Sequence, residues 1–114
     1  MLPRQYRLVG EKNFVRLKKY GRLYKGEFLG LIAYKSNRNT NSRIGFTVSL
    51  KVSKRAIERN KLRRKLREIV FPLVEKLGNG YDLLFLAKSK SLAASGENLR
   101  EEVTRLLKES GGLG

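Results

Sequence analysis

The sequence contains no cysteine and no histidine. The first absence excludes disulfides, thiolate nucleophiles and cysteine-based zinc sites; the second excludes every histidine general base. Asp82 is the only aspartate, so a carboxylate cluster holding two metal ions, as in many protein nucleases, is not expected. No side chain is expected to be catalytic or to ligate a metal. No window approaches the ~18 consecutive apolar residues of a membrane span. Residues 1–10 carry Arg4 and Arg7 where a signal peptide would have an apolar stretch. The expectation is a soluble, cytoplasmic protein that does not engage a membrane.

What the sequence has is positive charge. Its 114 residues, 40% of them hydrophobic, suit a single domain, and 26 Lys and Arg against 10 acidic residues give a formal net charge of +16. Such a charge repels itself in a compact state, so a polyanionic partner is implied, nucleic acid ahead of an anionic membrane surface. The charge is unevenly placed. Residues 1–50 carry +9, residues 51–67 carry +8, and residues 68–114 carry −1. Half the net charge thus lies in seventeen residues, and the last third reads as structural support.

Periodicity places the elements. Residues 11–20 read as a short helix with Phe14 and Leu17 on one face and Gly21 as a left-handed cap. A short strand at 22–25 is broken by Gly26. Residues 27–35 follow, apolar on both alternating sets and therefore expected inside a sheet. Residues 36–42 form a polar turn. Residues 43–49 alternate, with Ile44, Phe46 and Val48 on one face. A long helix is expected from an N-cap at Ser53 to about Leu77, kinked or broken near Val70 by Pro72. Residues 81–88 form another strand buried on both faces, and 97–109 the last helix. Residues 1–10 make a basic N-terminal segment, and 110–114 a frayed tail. The fold class is α+β: a single domain, 1–114, in the order α-β-β-β-α-β-α.

On a helical wheel with Ile57 set at zero, Leu62, Leu66, Ile69, Val70, Leu73 and Leu77 fall within an arc of roughly 100°, a core-facing stripe. Asn60, Lys61, Arg63, Arg64, Lys65 and Arg67 occupy most of the other side. Arg55 and Arg59 fall on the apolar side, where an unpaired guanidinium is costly to bury. Either the first turns overhang the sheet and leave both in a cleft, or the helix begins later than Ser53. Solvated helix faces normally mix acids with bases at i,i+4; here arginines at 55, 59, 63 and 67 follow one another with little compensation. That pattern points to phosphates.

The run from Ser53 to Glu68 resembles the signature of the bacterial ribonuclease P protein subunit. Arg59-Asn60-Lys61-Leu62-Arg63-Arg64 is similar to that family's "RNR" box. Arg7-Leu8 with Phe14 and Gly21, the strand at 43–49, and Gly80-Tyr81-Asp82 opening an apolar strand resemble the family elsewhere, in order and over nearly the whole chain. The resemblance implies a four-stranded sheet with three helices and a left-handed β-α-β crossover. It also implies a role: protein subunit of an endoribonuclease that removes the 5′ leader of precursor tRNA, with Mg²⁺-dependent cleavage carried by the RNA. The partners implied are that catalytic RNA and the leader, with no obligate protein partner. No cofactor is expected on protein side chains.

Carried over by the resemblance, Lys51, Lys54, Arg55, Arg59, Asn60, Lys61, Arg63, Arg64, Lys65 and Arg67 are the RNA-binding set. Phe14, Lys18, Tyr34 and Arg43 are candidates for the leader cleft. A ring there can stack on an unpaired base for ~1–3 kcal/mol, but Phe14 reads equally as a core residue of an amphipathic helix. Two departures stand out. Lys18 occupies the position where the family often has a second aromatic, and Ala56 and its neighbours replace a glycine frequent ahead of the box. The alternative reading is a generic RNA-binding protein of the ribosome or its assembly.

Overall fold

The apolar runs form one sheet. The computed structural model describes residues 2–37 and 39–113, with strands β1 (Arg22–Lys25), β2 (Leu29–Lys35), β3 (Arg43–Thr47) and β4 (Tyr81–Ala87) in the order β1-β2-β4-β3. The two runs that are apolar on both alternating sets, β2 and β4, take the interior positions. They pair antiparallel, with Leu31 opposite Phe85. β3 runs parallel to β4, with Ile44 opposite Leu83. A parallel neighbour needs a crossover, which a helix supplies. The helices are α1 (Glu11–Tyr20), α2 (Ala56–Val70) and α3 (Gly96–Ser110), in the expected element order.

Strand alternation assigns the two faces. Leu29, Leu31, Ala33, Ile44, Leu83 and Phe85 point to one side, where Leu62, Leu66, Ile69 and Val70 of α2 and Leu99, Val103, Leu106 and Leu107 of α3 complete the main core. The other face is covered by α1: Leu17 packs with Leu8 and Leu84, and Phe14, Ile32, Tyr34 and Leu86 surround them. Phe28 does not follow Ile32 and Tyr34, as plain alternation over 27–35 would require. The strand begins only at Leu29, and the turn ahead of it sends Phe28 to the main core.

Helix α2 begins at Ala56, later than expected. Arg55 is its N-cap residue in extended conformation, without a side-chain cap. Ser53 instead accepts from the Arg55 amide (3.1 Å) and donates to Glu58 Oε1 (2.6 Å), a local turn that holds the backbone out of the helix. The first turn overhangs the sheet, and Ile57, on the side of the helix opposite the aliphatic stripe, is 71% exposed. Of the two arginines that the wheel put on the apolar side, Arg55 is exposed, and Arg59 folds back to donate to the Ser53 carbonyl at 3.0 Å. At the other end the α-helix stops at Val70, and a 3-10 helix, Phe71–Lys76, carries Pro72 in its first turn. Proline removes a donor and clashes one turn back, as the sequence implied.

Gly21 is not a left-handed cap; its φ of −74° and ψ of 159° are extended. Glycine is required for space, since a Cβ there would collide with the Leu17 carbonyl oxygen and Ile32 Cγ2. Of the tail expected to fray, Gly112 and Leu113 are tied to the fold, and Gly114 lies outside the described residues. Gly78 N–H donates to the Gly112 carbonyl at 3.0 Å, and Leu113 N–H donates to Leu107 at 3.1 Å. The N-terminal segment is likewise anchored, with Leu2 and Leu8 buried and Leu8 N–H donating to Ile44 at 2.9 Å.

Glu102, on the buried side of α3, accepts from the amides of Glu27 (2.6 Å), Phe28 (2.8 Å) and Leu29 (2.7 Å). Its carboxylate thereby caps the β1–β2 turn and pins α3 to it. Gly26 is part of the same arrangement, because a Cβ there would fall on the carboxylate. Glu102→Ala leaves three amides without their acceptor and is expected to cost about 3 kcal/mol in urea denaturation. Glu101→Ala, at the exposed position beside it, should cost less than about 0.5 kcal/mol. Equal losses would remove the carboxylate from this role.

Candidate nucleic-acid interface

Burial of the aliphatic stripe of α2 forces the opposite side outward. Lys51, Lys54, Arg55, Lys61, Arg64 and Arg67 are exposed. Among the described residues none of the six has an acidic partner; the ion pairs present are Arg43–Asp82 and those of Arg105 with Glu102 and Glu109. Like charges one turn apart cost stability in the free protein. This arrangement therefore costs the isolated chain something that an anion relieves.

The remaining members of the predicted set are partly engaged. Arg63 donates to Asn60 Oδ1 (2.7 Å) and to the Val48 carbonyl (3.3 Å), which ties α2 to the end of β3. Asn60 thus orients Arg63, so the second and fifth residues of the box act as a unit. Lys65 reaches the Ala94 carbonyl at 3.4 Å. These cations are pre-positioned by the backbone rather than neutralised by acids.

Beside this face, a cavity of about 330 Å³ wraps the outer edge of β3, lined by Leu2, Arg7, Leu8, Val9, Phe14, Ile44, Gly45, Phe46 and Arg67. It brings together three parts of the chain. The N-terminal segment supplies Arg7, α1 supplies Phe14, and α2 supplies Arg67. Phe46, on the strand face shared with Ile44 and Val48, is half-buried here and stacks on Phe85 with centroids 5.9 Å apart. Phe14 serves both of its readings: it packs on the Leu8–Leu17–Leu84 cluster and lines this cavity. Two aromatics between two arginines make a stacking surface flanked by phosphate-binding groups.

The other cleft candidates lie elsewhere. Lys18 is exposed on the last turn of α1 and does not line the cavity. Tyr34 is half-buried against the α1 cluster. Arg43 is an internal strut. Its Nε and Nη2 donate to the two oxygens of Asp82 at 3.0 and 3.1 Å, and Nη2 also reaches Asn13 Oδ1 on α1 at 3.4 Å. Asp82 is 1% exposed in the central strand, and a bidentate guanidinium is what such a charge needs. Neither Phe46 nor Arg7 was among the predicted site residues. Alternation put Phe46 on one strand face with Ile44 and Val48 and gave it no role in a site, and Arg7 lies 60 positions from Arg67, so only folding makes them neighbours.

Nor do the carboxylates offer a metal site. Among the described residues no three His, Cys, Asp or Glu groups cluster so as to hold an ion. Asp82 is engaged by Arg43, and Glu102 by three amides. No helix is long and apolar enough to cross a membrane.

Sheet, crossover helix and cation face together define a small basic α+β protein built to bind nucleic acid. The comparisons narrow this further. The family model described as Ribonuclease P matches residues 2–111. A ribonuclease P protein component of Synechococcus sp. (strain JA-2-3B'a(2-13)) is 39% identical over 113 residues, covering 96% of this chain and 85% of the relative. One from Chloroflexus aurantiacus is 34% identical over 110 residues, covering 96% and 80%. Among solved structures, the RNase P protein of Thermotoga maritima superposes with a TM-score of 0.79 at 27% identity over 90% of this chain and 96% of its own. That of Staphylococcus aureus shares the fold, with a TM-score of 0.85 at 20% identity over 96% and 98%. The chain belongs to the ribonuclease P protein family, whose members are protein components of a tRNA-processing endoribonuclease.

The Arg43–Asp82 pair yields a test. Arg43→Ala leaves a buried carboxylate without its guanidinium and is expected to destabilise the fold by about 3 kcal/mol. Arg64→Ala, on the exposed face, should change stability by less than about 0.5 kcal/mol. Chemical denaturation of both variants checks the contrast.

Proposed function

We propose that this chain is the RNA-binding subunit of a ribonuclease P ribonucleoprotein, and that RNA rather than protein performs the Mg²⁺-dependent cleavage. The observation that carries the reading is the α2 face, where cations without acidic partners sit beside an aromatic-lined cavity. Membership of the ribonuclease P family supports the identity of the partner.

In this reading Lys61, Arg64 and Arg67 contact phosphates of the catalytic RNA, with Lys51, Lys54 and Arg55 extending the contact beyond the start of the helix. Arg59, Asn60, Arg63 and Lys65 join them while keeping their ties to the Ser53, Val48 and Ala94 carbonyls. Phosphate contacts position without reading sequence, which suits a subunit that must hold a fixed pose on one large RNA. The single-stranded 5′ leader occupies the cavity at the edge of β3, with bases against Phe14 and Phe46 and its backbone between Arg7 and Arg67. Tyr34 and Arg43 support this cleft from behind by fixing α1, and Lys18 attracts the strand from the rim. The divalent ions of the reaction are held by RNA, in keeping with the commitments of Asp82 and Glu102. The site of action is the cytoplasm, where tRNA precursors are processed.

Reconstitution with a bacterial ribonuclease P RNA at low Mg²⁺ tests the whole reading: the chain should enhance cleavage of precursor tRNA, and no enhancement would refute it. Arg64→Ala should flatten the plot of log K against log salt for RNA assembly by about 1 unit, whereas Arg43→Ala should leave that slope unchanged. Phe14→Ala should weaken binding of leader-bearing precursor more than of mature tRNA; equal losses would return Phe14 to the core alone. Without RNA, the chain should cleave nothing with any divalent metal.

A further inference from the structure

Counting charge along the chain hides a second basic element. Residues 68–114 sum to −1, yet residues 83–96 contain Lys88 and Lys90 and no acid, and the rest of that segment carries −3. Folding brings this stretch to α2. A 3-10 helix, Ser89–Ala93, follows β4, and Ser89 Oγ donates to the Lys51 carbonyl at 3.2 Å. At the far end of the same segment Ala94 accepts from Lys65 Nζ at 3.4 Å. The two hydrogen bonds clamp the 3-10 helix against the basic stretch at both ends. Between the elements runs a groove of about 230 Å³ lined by Glu58, Lys61, Leu62, Lys65, Ser91 and Leu92.

We propose that this groove holds a backbone segment of the ribonuclease P RNA, with Lys90 as a phosphate contact outside α2. The proposal rests on the RNA-binding reading of α2 and extends it to a residue that neither the box nor the charge pattern assigned. Three observations support it. Lys61 and Lys65 belong both to the α2 face and to the groove, so an RNA lying on that face meets the far wall as well. Lys90 is exposed and sits between Ser89, which is bonded to Lys51, and Ser91, which lines the groove; Lys88 instead donates to the Gly26 carbonyl at 2.6 Å. Leu92 is 40% exposed beside these cations and offers an apolar contact to a ribose or base face. Glu58, the one acid on the lining, accepts from Ser53 Oγ, which draws its carboxylate toward the start of α2.

The test uses the full chain and a transcribed bacterial ribonuclease P RNA, with affinity measured across a salt series. Lys90→Ala should lower affinity about fivefold near physiological salt and reduce the log–log slope by about 1 unit, and Lys90→Arg should restore both. Arg64→Ala is measured in parallel. If Arg64→Ala flattens the slope and Lys90→Ala does not, the groove is overturned while the α2 reading stands. If neither changes it, both fall. A Lys90→Ala loss that arises only when precursor tRNA is added would also overturn the proposal, since it would assign the contact to substrate. Because the chain has no cysteine, Leu92→Cys can carry a single tethered iron chelate. Localised cleavage of the RNA transcript is expected, and none above the solution background would count against the groove.

Discussion

The constraint on which this molecule depends is the two-sidedness of α2. Its aliphatic stripe, Leu62, Leu66, Ile69 and Val70, is buried against the sheet. Each such side chain is worth about 1.5–3 kcal/mol of transfer free energy, enough to hold the helix down despite the repulsion among its cations. Because the stripe fixes rotation about the helix axis, Lys61, Arg64 and Arg67 have nowhere to go but outward. The edge cavity and the groove beside the 3-10 helix Ser89–Ala93 both inherit their geometry from that one packing decision.

Two of the ten acids are placed to serve the fold rather than to neutralise the cation face. Asp82 and Glu102 are buried, and each is satisfied, one by a bidentate guanidinium and one by three backbone amides. They join elements distant in sequence: Asp82 links β4, β3 and, through Arg43, α1; Glu102 links α3 to the β1–β2 turn. Carboxylates so committed leave the exposed cations of α2 without internal partners. The net charge of +16 follows from how few acids there are, and the positive potential along α2 also from where Asp82 and Glu102 sit. An assembly in which RNA supplies the chemistry is consistent with a protein whose contribution is shape and positive potential.

Much of the fold was legible because its signals are local and strong. The doubly apolar runs that became β2 and β4, the break at Pro72 and the amphipathic last helix all follow from periodicity. What failed did so for identifiable physical reasons. The start of α2 was set by the Ser53 hydroxyl closing a turn with the Arg55 amide, so a good N-cap residue served a different motif. Arg55 and Arg59 fall on the apolar side of the wheel yet are not buried, because a wheel records direction and not how far the sheet extends beneath. Gly21 was read as a conformational glycine, but it is a steric one, imposed by a contact with β2.

The site divides in the same way. By itself the sequence determined that a polyanion is the partner, that most of the basic run at 51–67 lies on a helix with one cationic side, and that the run resembles the ribonuclease P box. These are properties of composition and of a 3.6-residue period, and they need no tertiary information. Only the tertiary structure decided which cations are left without acids, since Arg43 and Arg64 look alike in the sequence and differ by a single partner, Asp82, 39 residues away from Arg43. It also decided that Arg7, Phe14, Phe46 and Arg67 share a cavity, and that the 3-10 helix carrying Lys90 is tied at its two ends to Lys51 and Lys65. Neighbours of this kind are made by the parallel crossover from β3 to β4 and by the return of the chain past α2, and long-range packing of that sort leaves no periodic trace in the sequence.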